Sequence, residues 1–280
     1  MEMLSVDGLC KKYPSFELKN VSFKLEAGYI MGFVGRNGAG KTTTLKSMMN
    51  LVHRDGGAVS MFGKDFYENE ISCKQRIGFM LGGMTSYPKK KLAALADAEK
   101  RFYTEWDDNA FTRYMKEFGL DLNKRIEQLS DGMRVKFSLA LALSHNASLF
   151  VLDEPTSGLD PVSRDEILDI FRGLISEGDR SILFSTHITS DLEKCADYIT
   201  YIKDGEVIES GDMPTLLDSY KIIAGEKGLF EKYKSIMIGS KTNMFGFSAL
   251  VRTRDVPNDA SLTVSPSDIE SIMIYHERKA

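Results

Sequence analysis

Gly35-Arg36-Asn37-Gly38-Ala39-Gly40-Lys41-Thr42 decides the fold. The stretch fits G-x-x-x-x-G-K-[ST]. A nearly continuous apolar run, Tyr29 to Val34, precedes it, and a helix-compatible segment, Thr43 to Leu51, follows with Leu45, Met48 and Met49 on one side. Strand, glycine loop and helix in that order are what a phosphate-binding loop requires. Glycines let the main chain curl until several N–H groups converge on an anion. The helix N-terminus adds partial positive charge. Gly35, Asn37, Gly38, Ala39, Gly40 and Thr43 are therefore expected to cradle phosphate. Lys41 is expected to reach the β- and γ-phosphates as a compact cation, and the Thr42 hydroxyl to ligate Mg²⁺.

Outward from the loop, Ser148 to Leu152 and Ser181 to Phe184 read as further strands buried on both faces, the pattern of a parallel sheet covered by helices. Val21, Phe23 and Leu25 alternate with polar residues, as in a half-exposed strand. Pro161 to Ile175 reads as a helix between strands, so the fold class is α/β. Ile199 to Ile202 and Glu206 to Ile208 flank Asp204-Gly205, a hairpin signal. Between about residues 83 and 146 the period turns helical. Phe111, Tyr114, Met115 and Phe118 form one apolar face there, so a helical subdomain inserted into the core is expected.

The character changes near Ser219. Residues 1–218 are expected to form the main domain and 219–280 a small α+β appendage. Its last helix is expected to start with Ser265 as N-cap and Pro266 in the first turn.

Leu149 to Leu152 run into two acids, Asp153 and Glu154. Beside a phosphate loop, Asp153 is placed to hold Mg²⁺ and Glu154 to deprotonate an attacking water. Without that loop, the pair would read as solvated acids at a strand end. His187, after the run Ser181 to Thr186, could contact the γ-phosphate. His145 and His276 have no such setting and are expected at the surface.

Lys plus Arg number 36 and Asp plus Glu 40, a net charge of −4, which excludes a polybasic nucleic-acid coat. No nucleic-acid partner is expected. The 42% apolar and 27% charged content is that of an ordinary globular core and surface. No apolar run approaches the roughly 18 residues of a membrane span, and the N-terminus carries no signal-peptide pattern. Cys10, Cys73 and Cys195 are widely spaced and form no disulfide framework or zinc pattern, which fits a reducing cytosol.

Leu129-Ser130-Asp131-Gly132-Met133 precedes another helix-like run. At this point the chain resembles the ATP-binding cassette (ABC) family, whose hallmark here is Leu-Ser-Gly-Gly-Gln. Motif order agrees over about residues 1 to 218: phosphate loop, signature, Asp153-Glu154, Ser157-Gly158-Leu159-Asp160, then Thr186-His187. The resemblance implies a P-loop NTPase cassette, with a RecA-like parallel-sheet core, an antiparallel β subdomain and an inserted helical subdomain. It implies ATP and Mg²⁺ as ligands and hydrolysis as the activity, with Tyr13 stacking on adenine. It also implies head-to-tail dimerisation with a second cassette, identical or a paralogue, in which Ser130 and Gly132 of one copy meet the γ-phosphate held by the other. The loop ending at Asp160 would lie at that seam.

Two positions depart from the family pattern. Gly82 stands where a Gln usually follows the strand Arg76 to Leu81, and Asp131 and Met133 replace Gly and Gln in the signature. Slower or differently coupled hydrolysis is expected.

The finer likeness is to bacterial ABC-2-type exporter cassettes, including those for antimicrobial or amphipathic peptides. It rests on Phe102 to Asp107, Ser185 to Glu193 and, more weakly, Pro266 to Tyr275. It implies an integral-membrane permease as a separate chain, and a cytoplasmic location on the inner face of the cell membrane through that permease. Trp106 reads as core packing, and alternatively Tyr87, Tyr103 or Trp106 would line a groove for a permease helix. Other classes stay open: a soluble non-transport ABC ATPase, such as one for iron–sulfur assembly, or an ATP-gated sensor. Lys41 to Ser130 spans 89 positions, too few for the coiled-coil insertion of chromosome proteins.

Overall fold

A computed structural model describes residues 2–81 and 87–278. It divides into two units, Met1–Ser210 and Gly211–Ala280. The first opens with strands β1 (Glu2–Tyr13) and β2 (Phe16–Glu26), where Val21, Phe23 and Leu25 are buried and Lys24 and Glu26 exposed. Next come β3 (Ile30–Val34), helix α1 (Lys41–Met48), β4 (Gly56–Met61), β5 (Lys64–Asp65), α2 (Glu70–Lys74) and β6 (Ile77–Leu81). Three helices follow, α3 (Leu92–Glu99), α4 (Asp108–Glu117) and α5 (Asp131–Ser144). The unit finishes with β7 (Leu149–Asp153), α6 (Pro161–Ile175), β8 (Ser181–Thr186), α7 (Thr189–Cys195), β9 (Tyr198–Lys203) and β10 (Glu206–Asp212).

Two sheets result. One is antiparallel, in the order β2-β1-β4-β5. The other runs β10-β9-β3-β8-β7-β6, with β9, β3, β8, β7 and β6 parallel. Every residue of β3, β7 and β8 is buried, as continuous apolar runs demand of strands covered on both faces. Asp204 (φ 49°) and Gly205 (φ 79°) join β9 to β10 with the paired positive φ of a tight hairpin. Only glycine suits the second position, because a Cβ there would overlap the Glu17 carbonyl. The turn also braces the phosphate loop, since Gly205 N–H donates to the Ala39 carbonyl at 3.0 Å.

Helices α3, α4 and α5 build their own core from Leu92, Phe111, Met115, Leu129, Phe137 and Leu141. Trp106 packs half-buried against it, 5.3 Å from the Phe111 ring, and donates its indole N–H to Asp108. Core packing is thus what Trp106 does.

His145, expected at the surface, is buried at 3% exposure. It caps the end of α5, stacks on Tyr103 at 3.6 Å, and its Nδ1 lies 3.1 Å from the Gln75 carbonyl. A carbonyl only accepts, so the neutral ring carries its proton on Nδ1. Its partners stand 42 and 70 positions away in the chain, beyond the reach of local pattern.

Burial pushes the His145 pKa down from 6.5 to about 4. Between those values the unfolded chain takes up a proton that the folded chain refuses. The stabilisation is therefore complete above pH 6.5 and is lost as pH falls toward 4. At pH 5 the loss amounts to about 2 kcal/mol. Asn places its side-chain N–H close to Nδ1 and does not titrate. Denaturant unfolding at pH 7 and pH 5 should show a smaller acid-induced drop in His145→Asn than in the parent, and equal drops would refute the assignment.

The second unit holds α8 (Met213–Asp218), β11 (Tyr220–Glu226), α9 (Phe230–Tyr233), β12 (Gly239–Thr242), β13 (Gly246–Arg252), β14 (Thr263–Pro266) and α10 (Ile269–His276). Its antiparallel sheet runs β12-β13-β11-β14. Ile223, Phe247, Ala249 and Val251 join Tyr233, Met237 and Leu262 in a second core. Tyr275 of α10 meets the Ser248 hydroxyl at 2.7 Å, and His276 is half-buried with Nε2 3.2 Å from the Tyr220 hydroxyl.

The last helix does not start at Ser265-Pro266. Those residues pair with Ile222 and Lys221 as the end of β14, and Asp268 caps α10 by accepting from Ser271 N–H. Ser-Pro suits a helix start locally, but pairing with β11 claims both residues first. Proline is tolerated there because β14 is an edge strand.

Candidate nucleotide-binding site

The phosphate loop leaves β3 and enters α1 through Gly40, whose φ of 115° belongs to glycine. A Cβ at Gly40 would also lie 2.8 Å from both Phe16 and Leu18 of β2. Lys41 is 5% exposed. Its ammonium donates to the carbonyls of Gly35 (2.8 Å) and Arg36 (3.3 Å) and pairs with Glu154 Oε1 at 3.1 Å. The side chain is thus folded back under the loop, with its charge held where an anion can replace carboxylate.

Parallel pairing of β7 with β8 sets Asp153 opposite Ser185. Asp153 accepts from the Thr42 hydroxyl at 2.9 Å and from the Ser185 hydroxyl at 2.6 Å. Ser185 Oγ also accepts from Glu154 N–H at 3.0 Å. Glu154 has φ 50°, an uncommon conformation for a non-glycine residue and one often held at functional sites. Its second oxygen lies 2.8 Å from His187 Nδ1. Lys41, Glu154 and His187 therefore form one continuous chain of polar contacts.

These groups border a cleft of about 810 Å³ lined by Tyr13, Phe16, Asn37, Gly38, Gly40, Lys41, Thr42, Thr43, Glu154 and Ser157, with Arg36 and His187 among the rest. Asp153 lies buried beneath it, reaching it through Thr42. Gly35 and Ala39 are buried in the loop's underside. Ser130, Gly132 and Asp160 do not line the cleft. Ser130 caps α5 and is exposed, and Asp160 caps α6 through Val162 and Ser163 N–H. Gly132 is buried against the first turn of α6. Asp131 turns aside to pair with Arg134 at 2.8 Å. Gly82 lies outside the described residues.

Sequence reading missed Ser185 as the brace between Asp153 and Glu154. Its only local signal was its place near the end of the strand leading to His187.

A buried carboxylate next to a threonine hydroxyl is a hard-oxygen pair of the kind Mg²⁺ favours, with room for phosphate and water oxygens. No cluster of three or more His, Cys, Asp or Glu side chains that could hold a metal occurs among the described residues. Thr42 and Asp153 thus fit a metal shared with a phosphate rather than one fully caged by protein.

Comparison with known proteins places this geometry. The chain matches the family described as "ABC transporter" over residues 18–157. It belongs to the ABC transporter family. The cassette is 30% identical over 210 residues to the bacitracin transport ATP-binding protein BcrA of Bacillus licheniformis, covering 74% of this chain and 69% of that one. It is 32% identical over 207 residues to the Nod factor export ATP-binding protein I of Burkholderia lata, covering 72% and 68%. A solved ATP-binding subunit of an ABC transporter superposes with a TM-score of 0.68 at 25% identity, over 76% of this chain and 91% of that one. The ABC cassette's P-loop fold is therefore the fold of the first unit. No helix among the described residues is long and apolar enough to cross a membrane.

Proposed function

We propose that the chain binds and hydrolyses ATP to drive a separate membrane permease, and that the system exports peptides or other amphipathic compounds. One observation carries the reading: Lys41, Thr42, Asp153, Glu154 and His187 converge on one cleft through direct contacts.

The residues' roles follow from their chemistry. Tyr13, 39% exposed at the cleft edge, offers a ring face for adenine. Loop N–H groups and Lys41 take the phosphate oxygens, so Lys41 exchanges the Glu154 carboxylate for phosphate. Glu154, released from Lys41, accepts a proton from water as the water oxygen bonds to the γ-phosphorus. The bond from that phosphorus to the bridging oxygen breaks, leaving ADP and phosphate. His187, beside Glu154, orients the γ-phosphate and the base. Thr42, with Asp153 behind it, would hold Mg²⁺, which would neutralise charge building on the phosphate oxygens.

Ser130, Gly132 and Asp160 have no part in this cleft. Ser130 and Asp160 are exposed at the N-termini of α5 and α6. That placement supports their use by a second cassette, docked head to tail across a two-fold axis.

A second cleft of about 600 Å³ supports permease docking. Phe79, Leu81, Tyr87, Leu95, Phe102 and Leu141 line it, with Tyr87 68% and Phe102 73% exposed. Such an apolar trough suits an amphipathic helix. Tyr103, stacked on His145, and Trp106 serve the interior instead. The permease contact would hold the chain at the cytoplasmic face of the membrane.

Tagged chain recovered from detergent-solubilised membranes should carry an integral-membrane subunit with it. Phe102→Asp should keep the parent's melting temperature yet reduce that recovery by about 10-fold or more. Recovery of no membrane subunit would overturn the transport reading.

A further inference from the structure

Asp191 is a buried carboxylate that the mechanism above leaves without a task. It is fully buried on α7, four positions after His187. Its Oδ2 accepts from the Thr156 hydroxyl at 2.6 Å. Thr156 is also fully buried, two positions after Glu154 and directly before Ser157 of the cleft. Asp191 Oδ1 has no hydrogen bond. It faces Arg164 Nε at 3.9 Å, and that nitrogen has none either. Arg164 sits in the first turn of α6 and reaches the Leu159 carbonyl through Nη2 at 3.5 Å.

A buried carboxylate and the enclosed Nε of a partly exposed guanidinium thus face each other without closing, an arrangement that costs stability and calls for a reason. The gap exceeds a charge-assisted hydrogen bond by about 1 Å. Nothing similar is needed to hold α6 in place, because Asp160 already caps it.

We propose that Asp191, Thr156 and Arg164 form a latch that positions the segment 155–160 relative to His187, closing as the site engages nucleotide. Closing the Asp191–Arg164 gap draws the start of α6 toward α7. The segment between Glu154 and α6 moves with it. Gly132 of the signature packs on the same turn, since a Cβ there would lie 3.3 Å from Ser163 Cβ. One displacement therefore reaches the base, the His187 end and the surface offered to a second cassette. Asp191 touches no substrate atom and is a positioning residue. The inference rests on the ATPase reading above.

Steady-state turnover with Mg-ATP tests it, with thermal melting read alongside. Asp191→Asn and Arg164→Gln should each lower kcat by about 10- to 100-fold, as a misplacement near 1 Å does, with KM changed by less than about threefold. Melting temperature should not fall in Asp191→Asn, because a poorly paired buried charge is removed. The double variant should be no slower than the slower single, as for one shared interaction. Thr156→Val should lose turnover and Thr156→Ser, which keeps the hydroxyl, should restore it. If Asp191→Asn does not fold, the partly exposed Arg164 carries the test alone.

Unchanged kcat in the variants, multiplicative losses in the double, or losses that track melting temperature would overturn the latch while leaving the ATPase reading intact. A parent chain without Mg-ATP turnover would overturn both.

Discussion

Glu154→Gln should bind Mg-ATP, hydrolyse it about 1,000-fold more slowly than the parent, and accumulate as a closed dimer. The substitution keeps the side chain's size and its place between Lys41 and His187. It replaces a basic carboxylate by a neutral amide, too weak a base to take a proton from water. It also removes the negative charge that competes with phosphate for the Lys41 ammonium, 3.1 Å away. Nucleotide affinity should therefore not fall. Phosphate release measures the first effect, and light scattering with and without Mg-ATP measures the dimer. Turnover near the parent's rate would take the role of base away from Glu154 and leave His187 as the next candidate in contact with it.

Lys41→Ala should fail earlier, at binding. The ammonium is buried and already committed to two carbonyls and one carboxylate, so it is pre-positioned rather than recruited. Removing it deletes charge-assisted hydrogen bonds to phosphate. It also leaves the Glu154 carboxylate unpaired at the cleft, where it repels the triphosphate. Affinity for Mg-ATP should drop about 100-fold, read by titration calorimetry on folded material. Lys41→Arg should not restore it, because a planar fork is too large for the space under the loop. Affinity within a few-fold of the parent in Lys41→Ala would remove the foundation of the proposed mechanism.

The two experiments separate the halves of the site. Lys41 is expected to serve binding and Glu154 chemistry, yet they touch in the structure. The Glu154 carboxylate stands where phosphate is expected to meet Lys41. This is why Glu154→Gln is expected to keep its hold on nucleotide while Lys41→Ala loses it.

The residues of the proposed site were legible in the chain for a physical reason. A phosphate loop needs consecutive backbone N–H groups, so its residues are neighbours in sequence. Asp153-Glu154 and His187 end strands whose apolar runs announce themselves. The Asp204-Gly205 hairpin was legible because a tight turn demands positive φ at both positions. Helix α6 was read over Pro161 to Ile175, and in the structure Pro161 and the capping Asp160 fix its start within one turn.

Where burial or pairing joins distant segments, local pattern misled or was silent. Ser265-Pro266 carried a helix-start signal, and the ladder with Lys221 and Ile222 overrode it. His145 carried no sign of being inside, since Gln75 and Tyr103 lie far back along the chain. Asp191 looked like any acid on a short helix until Thr156 and Arg164 were found against it.

By itself the amino-acid sequence determined the α/β class, the cassette and the residues that gather at the cleft. Those features rest on contacts between near neighbours and on the burial period of single elements. Tertiary structure alone decided which polar groups are enclosed, which carboxylate faces Lys41, and which ion pair stands open. Burial and register between remote segments set those outcomes, and neither is written in any one stretch of chain.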